Sequence, residues 1–271
     1  MCRWLAYMGP PLQLDRLLFE PTNSLIRQSL AAQRSIVPTN GDGFGLGWYR
    51  DRSEPGVFRD TLPAWNDANL RSLSAQIQAS LFFAHVRAST GASTSRENCH
   101  PFRCGETLFM HNGQIGEFQK VRRAIEQRIP DHLYSNRLGT TDSEALFLLA
   151  LSHGMREDPA EALLRATSEI LEIMAEHKIS EPLRMAAAFT DGKDMTVVRY
   201  SSDHHSPTLY FANGGGVEVS DGRVRLQEGH DTLVVLSEPL DEEEVSWTEV
   251  PEAHLIRTDG ATVIAVEDFA P

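Results

Sequence analysis

The spacing of apolar residues changes several times along the chain. From Gly43 to Tyr49 glycine alternates with large apolar side chains, and this period of two predicts a strand. Its glycine face lets a second layer, or a substrate, approach the backbone closely. No helical pattern follows, and the spacing differs from that of a phosphate-binding glycine loop. Apolar runs at Ser80–Val86 and Thr107–Met110 predict two further strands, each ending in polar residues where chemistry is to be sought. Between Phe118 and Ile129, Val121, Ile125 and Ile129 recur on one face while Lys120, Arg122, Arg123 and Arg128 lie off it, predicting an amphipathic helix. A second helix is predicted over Asp142–Ala150, with Thr141 or Asp142 as its N-cap, and a third over Ala160–His177.

The second half turns to strands, predicted at Arg184–Thr190, Met195–Tyr200, Thr208–Ala212, Thr232–Leu236, His254–Arg257 and Thr262–Val266. Asp191-Gly192, Asp221-Gly222 and Asp259-Gly260 are hairpin turn signals. Strands, then helices, then strands again predict a layered α+β fold: two packed, mostly antiparallel sheets with helices outside. No repeat, low-complexity tract or Pro/Ser-rich linker divides the chain, so residues 1–271 are expected to form a single domain.

Composition narrows the function. The chain is 41% hydrophobic and 23% charged, enough for a sizeable core, and its net charge of −13 disfavours nucleic acid and anionic lipid as partners. A small-molecule substrate is the default. Asp241-Glu242-Glu243-Glu244 is expected to be a solvated loop. Three cysteines, with no signal peptide or apolar span, fit a reducing, cytoplasmic setting away from membranes.

Four segments carry candidate chemistry. Removal of Met1 would give Cys2 a free α-amine, whose pKa of about 7.7–8.0 lets it serve as the thiol's own base. A small second residue equally well serves only to permit Met removal. His111-Asn112-Gly113 offers the Asn112 amide and the Gly113 N–H as donors to an oxyanion, although Asn-Gly is also a type I′ turn signal. Arg87 ends an apolar strand, where it can form a bidentate pair with a carboxylate, with Thr90 nearby; the alternative is an arginine leaving for solvent. Asp142 offers a carboxylate for an ammonium group, or is a plain helix start with Glu144 in the first turn.

Taken together these segments resemble a known family. Cys2, Arg87-x-x-Thr90, Asn98-x-His100-Pro101-Phe102, His111-Asn112-Gly113 and Thr141-Asp142-Ser143-Glu144 occur in the order seen in class II glutamine amidotransferases, and Ser237-Glu238-Pro239-Leu240 is similar to the family's C-terminal strand and turn. The resemblance implies a four-layered αββα Ntn-hydrolase sandwich and hydrolysis of the side-chain amide of glutamine or a γ-glutamyl amide through a Cys2 thioester. It implies Cys2 as nucleophile, Asn112 and Gly113 as oxyanion hole, and Arg87, Thr90 and Asp142 as substrate contacts, with no cofactor and no metal. His100 is expected to be structural.

Where large synthase members carry Trp after the arginine and His after the threonine, this chain has Ala88 and Gly91, which implies a more open leaving-group side. The family's Arg-Gly-x-Asp loop corresponds at best to Asn40-Gly41-Asp42-Gly43. The match spans nearly the whole chain, and is most similar to the stand-alone branch that includes the γ-glutamyl hydrolase of ergothioneine biosynthesis. The alternatives are a glutaminase subunit serving a separate synthase partner, with homo-oligomers open, and a non-catalytic amino-acid-binding descendant. His204-His205 and Cys99-x4-Cys104 lack the further ligands of a metal site, and Trp4, Trp48, Trp65 and Trp247 are expected in core or pocket walls.

Overall fold

The structure is a computed structural model that describes residues 2–34, 38–89, 93–241 and 247–271. The first half runs β1 (Arg3–Gln13), α1 (Asp15–Leu18), α2 (Leu25–Leu30), β2 (Phe44–Tyr49), β3 (Gly56–Asp60), α3 (Ala68–Gln76), β4 (Gln78–Val86), β5 (Phe102–Cys104) and β6 (Thr107–Gln114). The helices α4 (Phe118–Glu126), α5 (Asp131–Tyr134), α6 (Asp142–Ser152) and α7 (Pro159–Glu176) follow. The second half holds β7 (Arg184–Thr190), β8 (Met195–Ser201), β9 (Tyr210–Gly214), β10 (Val217–Ser220), β11 (Arg223–Leu226), β12 (Thr232–Leu236), β13 (Thr248–Glu249), β14 (His254–Asp259) and β15 (Thr262–Asp268).

Two antiparallel sheets face each other. One has the order β13-β9-β12-β1-β4-β2-β3 and the other β15-β14-β8-β7-β6-β5, with β10-β11 a separate hairpin. Side chains alternate across each strand, so each sheet feeds two cores. Trp4, Ala6 and Met8 of β1, Phe83 of β4, Leu108 and Met110 of β6, and Ala186 and Ala188 of β7 fill the space between the sheets. Leu5, Tyr7, Phe82 and Ala84 point outward to Leu17, Leu18, Leu25 and Leu70 of the first helices. Phe109, Ala187 and Val198 meet α4, α6 and α7 through Val121, Ile125, Phe147, Leu163 and Ile170 on the opposite outer face. The expected αββα layering is therefore present.

The central strand β1 was not among the predicted elements. Trp4 to Tyr7 are at most 1% exposed, because both faces of this sheet are covered. Such a strand reads as an unbroken apolar run without alternation. Gly9-Pro10-Pro11 hides it further, and the register shifts between Met8 and Leu12 at this point. The β2 glycines do what their spacing predicts: a Cβ on Gly45 would strike the His100 carbonyl, and one on Gly47 would reach Pro101 and Leu108. The Asp221-Gly222 hairpin has positive φ at both residues, 51° and 77°, as a type I′ turn requires.

Two expectations are corrected. Asp241 is not solvated: it is 5% exposed, accepts the Val224 N–H at 2.7 Å and the Trp247 indole N–H at 3.2 Å. The rest of that acidic run, residues 242–244, lies outside the described residues. The helix predicted to Ile129 ends at Glu126, and Ile129 stays buried on the turn that follows.

Candidate active site

Cys2 precedes the first residue of β1 and leads into a buried ion pair. The Arg3 Nε donates to Glu238 Oε1 at 2.7 Å, with both side chains almost fully buried. The same carboxylate accepts the N–H groups of Gln33 and Arg34, each at 2.9 Å. Arg3 also donates to the Cys2 and Arg34 carbonyls at 2.9 and 2.7 Å. The charge is thus satisfied on all sides, as a buried pair must be. Ser237, just before Glu238, exchanges hydrogen bonds with the Trp4 backbone. The C-terminal turn therefore holds the start of the chain in place.

The Cys2 thiol meets the backbone that continues from β4. The Ala88 N–H donates to Sγ at 3.4 Å, and the thiol donates to the Ala88 carbonyl at 3.6 Å. Burial pushes the thiol pKa up, while the Ala88 N–H, Arg87 and Arg3 pull it down less strongly. Arg87 does not leave for solvent: it is 4% exposed and donates to the Asp42 carbonyl, the Ser89 hydroxyl and the Ser93 carbonyl at 3.2–3.3 Å. Asp42, in the loop before β2, accepts the Ser89 N–H at 2.7 Å and so fixes the chain beyond Arg87. Thr90 lies outside the described residues, as does Gly91.

His111-Asn112-Gly113 is not a turn. It runs inside β6, which pairs with β7 from Leu108–Thr190 through Gln114–Arg184. Alternation then sends Asn112 to the inter-sheet side with Met110, and His111 to the α6 side with Phe109. Asn112 is fully buried, and neither atom of its amide has a partner among the described residues. A Cβ at Gly113 would fall on the Arg184 carbonyl oxygen, so only glycine fits.

His111 Nε2 lies 3.2 Å from the Arg184 carbonyl and Nδ1 lies 2.8 Å from the Ser143 hydroxyl. A carbonyl only accepts, so Nε2 carries the proton and Ser143 donates to Nδ1. This bond ties the start of α6 to β6. Thr141 is the N-cap, accepting the Glu144 N–H at 3.2 Å, and Asp142 is the first helical residue. Asp142 accepts the Ile115 and Ser143 N–H groups, each at 2.8 Å. Glu144 turns back to Arg137 and to the Leu138 and Gly139 N–H groups.

Cys2, Arg87, Ala88, Ser89, His100, His111, Gly113, Gln114, Thr141, Asp142 and Ser143 line one cavity of about 60 Å³. Four of the predicted site residues, Cys2, Arg87, Gly113 and Asp142, thus share one neighbourhood, with Asn112 facing the space between the sheets beside them. A larger cleft of about 590 Å³ lies at the opposite end of β2, around Tyr49, Glu106 and Lys193, and shares no residue with this cavity. Size does not identify the site; its chemistry does. Among the described residues no group of His, Cys, Asp or Glu is arranged to hold a metal.

The sequence marked His100 only as a structural residue and gave no signal for its neighbour His85. His85, on β4, and His100 are buried and stack with ring centroids 4.2 Å apart. Burial pushes His85 down to about 3, with the adjacent His111 backbone only partly opposing it, and lowers His100 and His111 as well. The unfolded chain binds protons near pH 6.5 that these three folded imidazoles refuse, so stability is intact above that pH and falls below it. Denaturant midpoints at pH 7.5 and 5.5 should reveal a loss of about 1 kcal/mol from His85, with His100 and His111 adding to it in the same direction. Equal midpoints would show that these imidazoles charge in the folded state.

A family model for class-II glutamine amidotransferases matches residues 20–269. The probable glutamine amidotransferase DUG3 of Saccharomyces cerevisiae is 35% identical over 297 residues, covering 97% of this chain and 83% of the relative. The γ-glutamyl-hercynylcysteine sulfoxide hydrolase of Mycolicibacterium smegmatis is 25% identical, over 97% of this chain and 98% of its own. A glutamine aminotransferase class-II domain protein from Silicibacter pomeroyi superposes with a TM-score of 0.72 at 34% identity, covering 99% of this chain and all of the other.

Proposed function

The chain belongs to the class-II glutamine amidotransferases, with their αββα sandwich, and from this premise we propose that it hydrolyses N-substituted γ-glutamyl amides as well as glutamine through a thioester on Cys2. Amide hydrolysis itself follows from the family. The observation that carries the finer reading is the convergence of Cys2, Arg87, Gly113 and Asp142 on one cavity.

In this reading the Arg87 guanidinium takes the substrate α-carboxylate and Asp142 its α-ammonium. Cys2 attacks the amide carbon while Asn112 and the Gly113 N–H stabilise the oxyanion, and Thr90 adds a substrate contact. The Cys2 thiol contacts the backbone of Ala88, whose small side chain, in this reading, leaves room for a substituent on the amide nitrogen. The relative from M. smegmatis, named for a γ-glutamyl substrate with a large leaving group, supports that choice. The cleft of about 410 Å³ that shares Gln114, Thr141 and Asp142 with the cavity extends from the Asp142 wall, at the amino end of a glutamyl group so held.

Glutamate release from glutamine and from a series of γ-glutamyl amides tests the proposal. Substituted amides should be cleaved at least as well as glutamine. Arg87→Lys should impair all of them alike, because an ammonium cannot reproduce the bidentate fork and the carboxylate is common to every substrate. Turnover of glutamine with rejection of every substituted amide would favour the second reading, ammonia delivery to a synthase partner, to which the relative named as a probable amidotransferase points.

A further inference from the structure

Three polar side chains on the inter-sheet side of the site are buried without partners among the described residues: His85, His100 and Asn112. The role proposed above for Asn112 accounts for its open amide. Nothing in that role accounts for the two histidines, whose four ring nitrogens have no hydrogen-bond partner among the described residues. Leaving a buried polar group unpaired costs about 1–3 kcal/mol, and such groups in folded proteins are normally satisfied or used.

His100 is placed with care. Its carbonyl sits against Gly45, where any Cβ would displace it, and its ring stacks on His85 at 4.2 Å and meets Phe102 at a tilt, 4.4 Å away. His100 is among the residues that line the cavity shared with Cys2. A neutral imidazole there is both a donor and an acceptor. We propose that His100, backed by His85, holds the water that takes the place of the departed nitrogen and attacks the Cys2 thioester. This rests on the Cys2 thioester reading and adds a group to it.

In acylation the sulfur–carbon bond forms and the carbon–nitrogen bond breaks, the thiol proton passing through the Cys2 α-amine to the departing nitrogen. Entering water occupies the position that nitrogen vacated. Its oxygen bonds to carbon, one proton moves to the α-amine and on to the released sulfur, and its second hydrogen is held by His100, which stays neutral throughout.

The test is His100→Phe, a planar replacement that keeps the stack and removes both nitrogens, compared with His100→Gln, which keeps a donor and an acceptor. In His100→Phe, kcat should fall about 10²-fold through loss of positioning. Intact mass should then show glutamyl-Cys2 accumulating during turnover, and hydroxylamine should discharge it. His100→Gln should accumulate less and turn over faster. An unchanged kcat, or a slower enzyme in which no adduct builds up in either variant, would overturn the inference. Failure of a glutamine-like diazo-ketone to label Cys2 in the unsubstituted enzyme would sink the thioester reading instead.

Discussion

Cys2→Ala should lower amide hydrolysis by at least about 10³-fold while leaving the fold intact, the loss expected when a covalent nucleophile is removed. The thiol is half-buried, and its desolvation raises its pKa, so near neutral pH it is protonated and needs a base. No imidazole is hydrogen-bonded to it among the described residues; its contacts are the Ala88 N–H and carbonyl. The proposed base is the α-amine of Cys2 itself. kcat/KM should therefore rise with pH through about 7.7–8.0, as that amine loses its proton, and then level off. A form retaining Met1 should be inactive, because its Cys2 nitrogen is an amide. Full activity with Met1 attached would remove the mechanism. A glutamine-like diazo-ketone should label Cys2 ahead of Cys99, whose thiol burial pushes up to about 11.

Asn112→Leu should dissociate activity from stability. The oxyanion exists only along the reaction path, so kcat should fall about 10²–10³-fold with little change in KM. A pure KM effect would make Asn112 a substrate-positioning group. The stability change should have the opposite sign to that of most core substitutions. Both atoms of the Asn112 amide are buried without a partner, so an apolar side chain of similar size relieves a penalty of about 1–3 kcal/mol and should raise the midpoint of thermal unfolding. A lower midpoint would indicate that the amide is satisfied within the folded protein.

Local pattern reached far into this fold where one face of an element is solvated or where a turn needs a particular residue. The α4 face of Val121 and Ile125, the N-cap at Thr141 and the Asp-Gly hairpins were legible for those reasons. Pattern failed where context on both sides decides. At β1, covered on both faces, alternation was erased. At Asn112-Gly113 a strong turn signal was overridden, because the pairing of β6 with β7 continues to Gln114–Arg184 and holds the dipeptide extended.

The site divides in the same way. Residue types in order (a cysteine at position 2, an arginine after a strand, His-Asn-Gly, a Thr-Asp helix start) carried the chemistry, because each reactive or charge-binding role demands a particular functional group. Their convergence was not readable, since Cys2 meets Ala88 and Arg3 meets Glu238 across 86 and 235 residues of chain. The stacked His85 and His100 likewise sit in unrelated segments, and it is the packing of the two sheets that buries them and keeps them neutral. The sequence by itself determined which groups are available. The tertiary structure decided which share a cavity, because burial and long-range pairing depend on the whole chain rather than on any stretch of it.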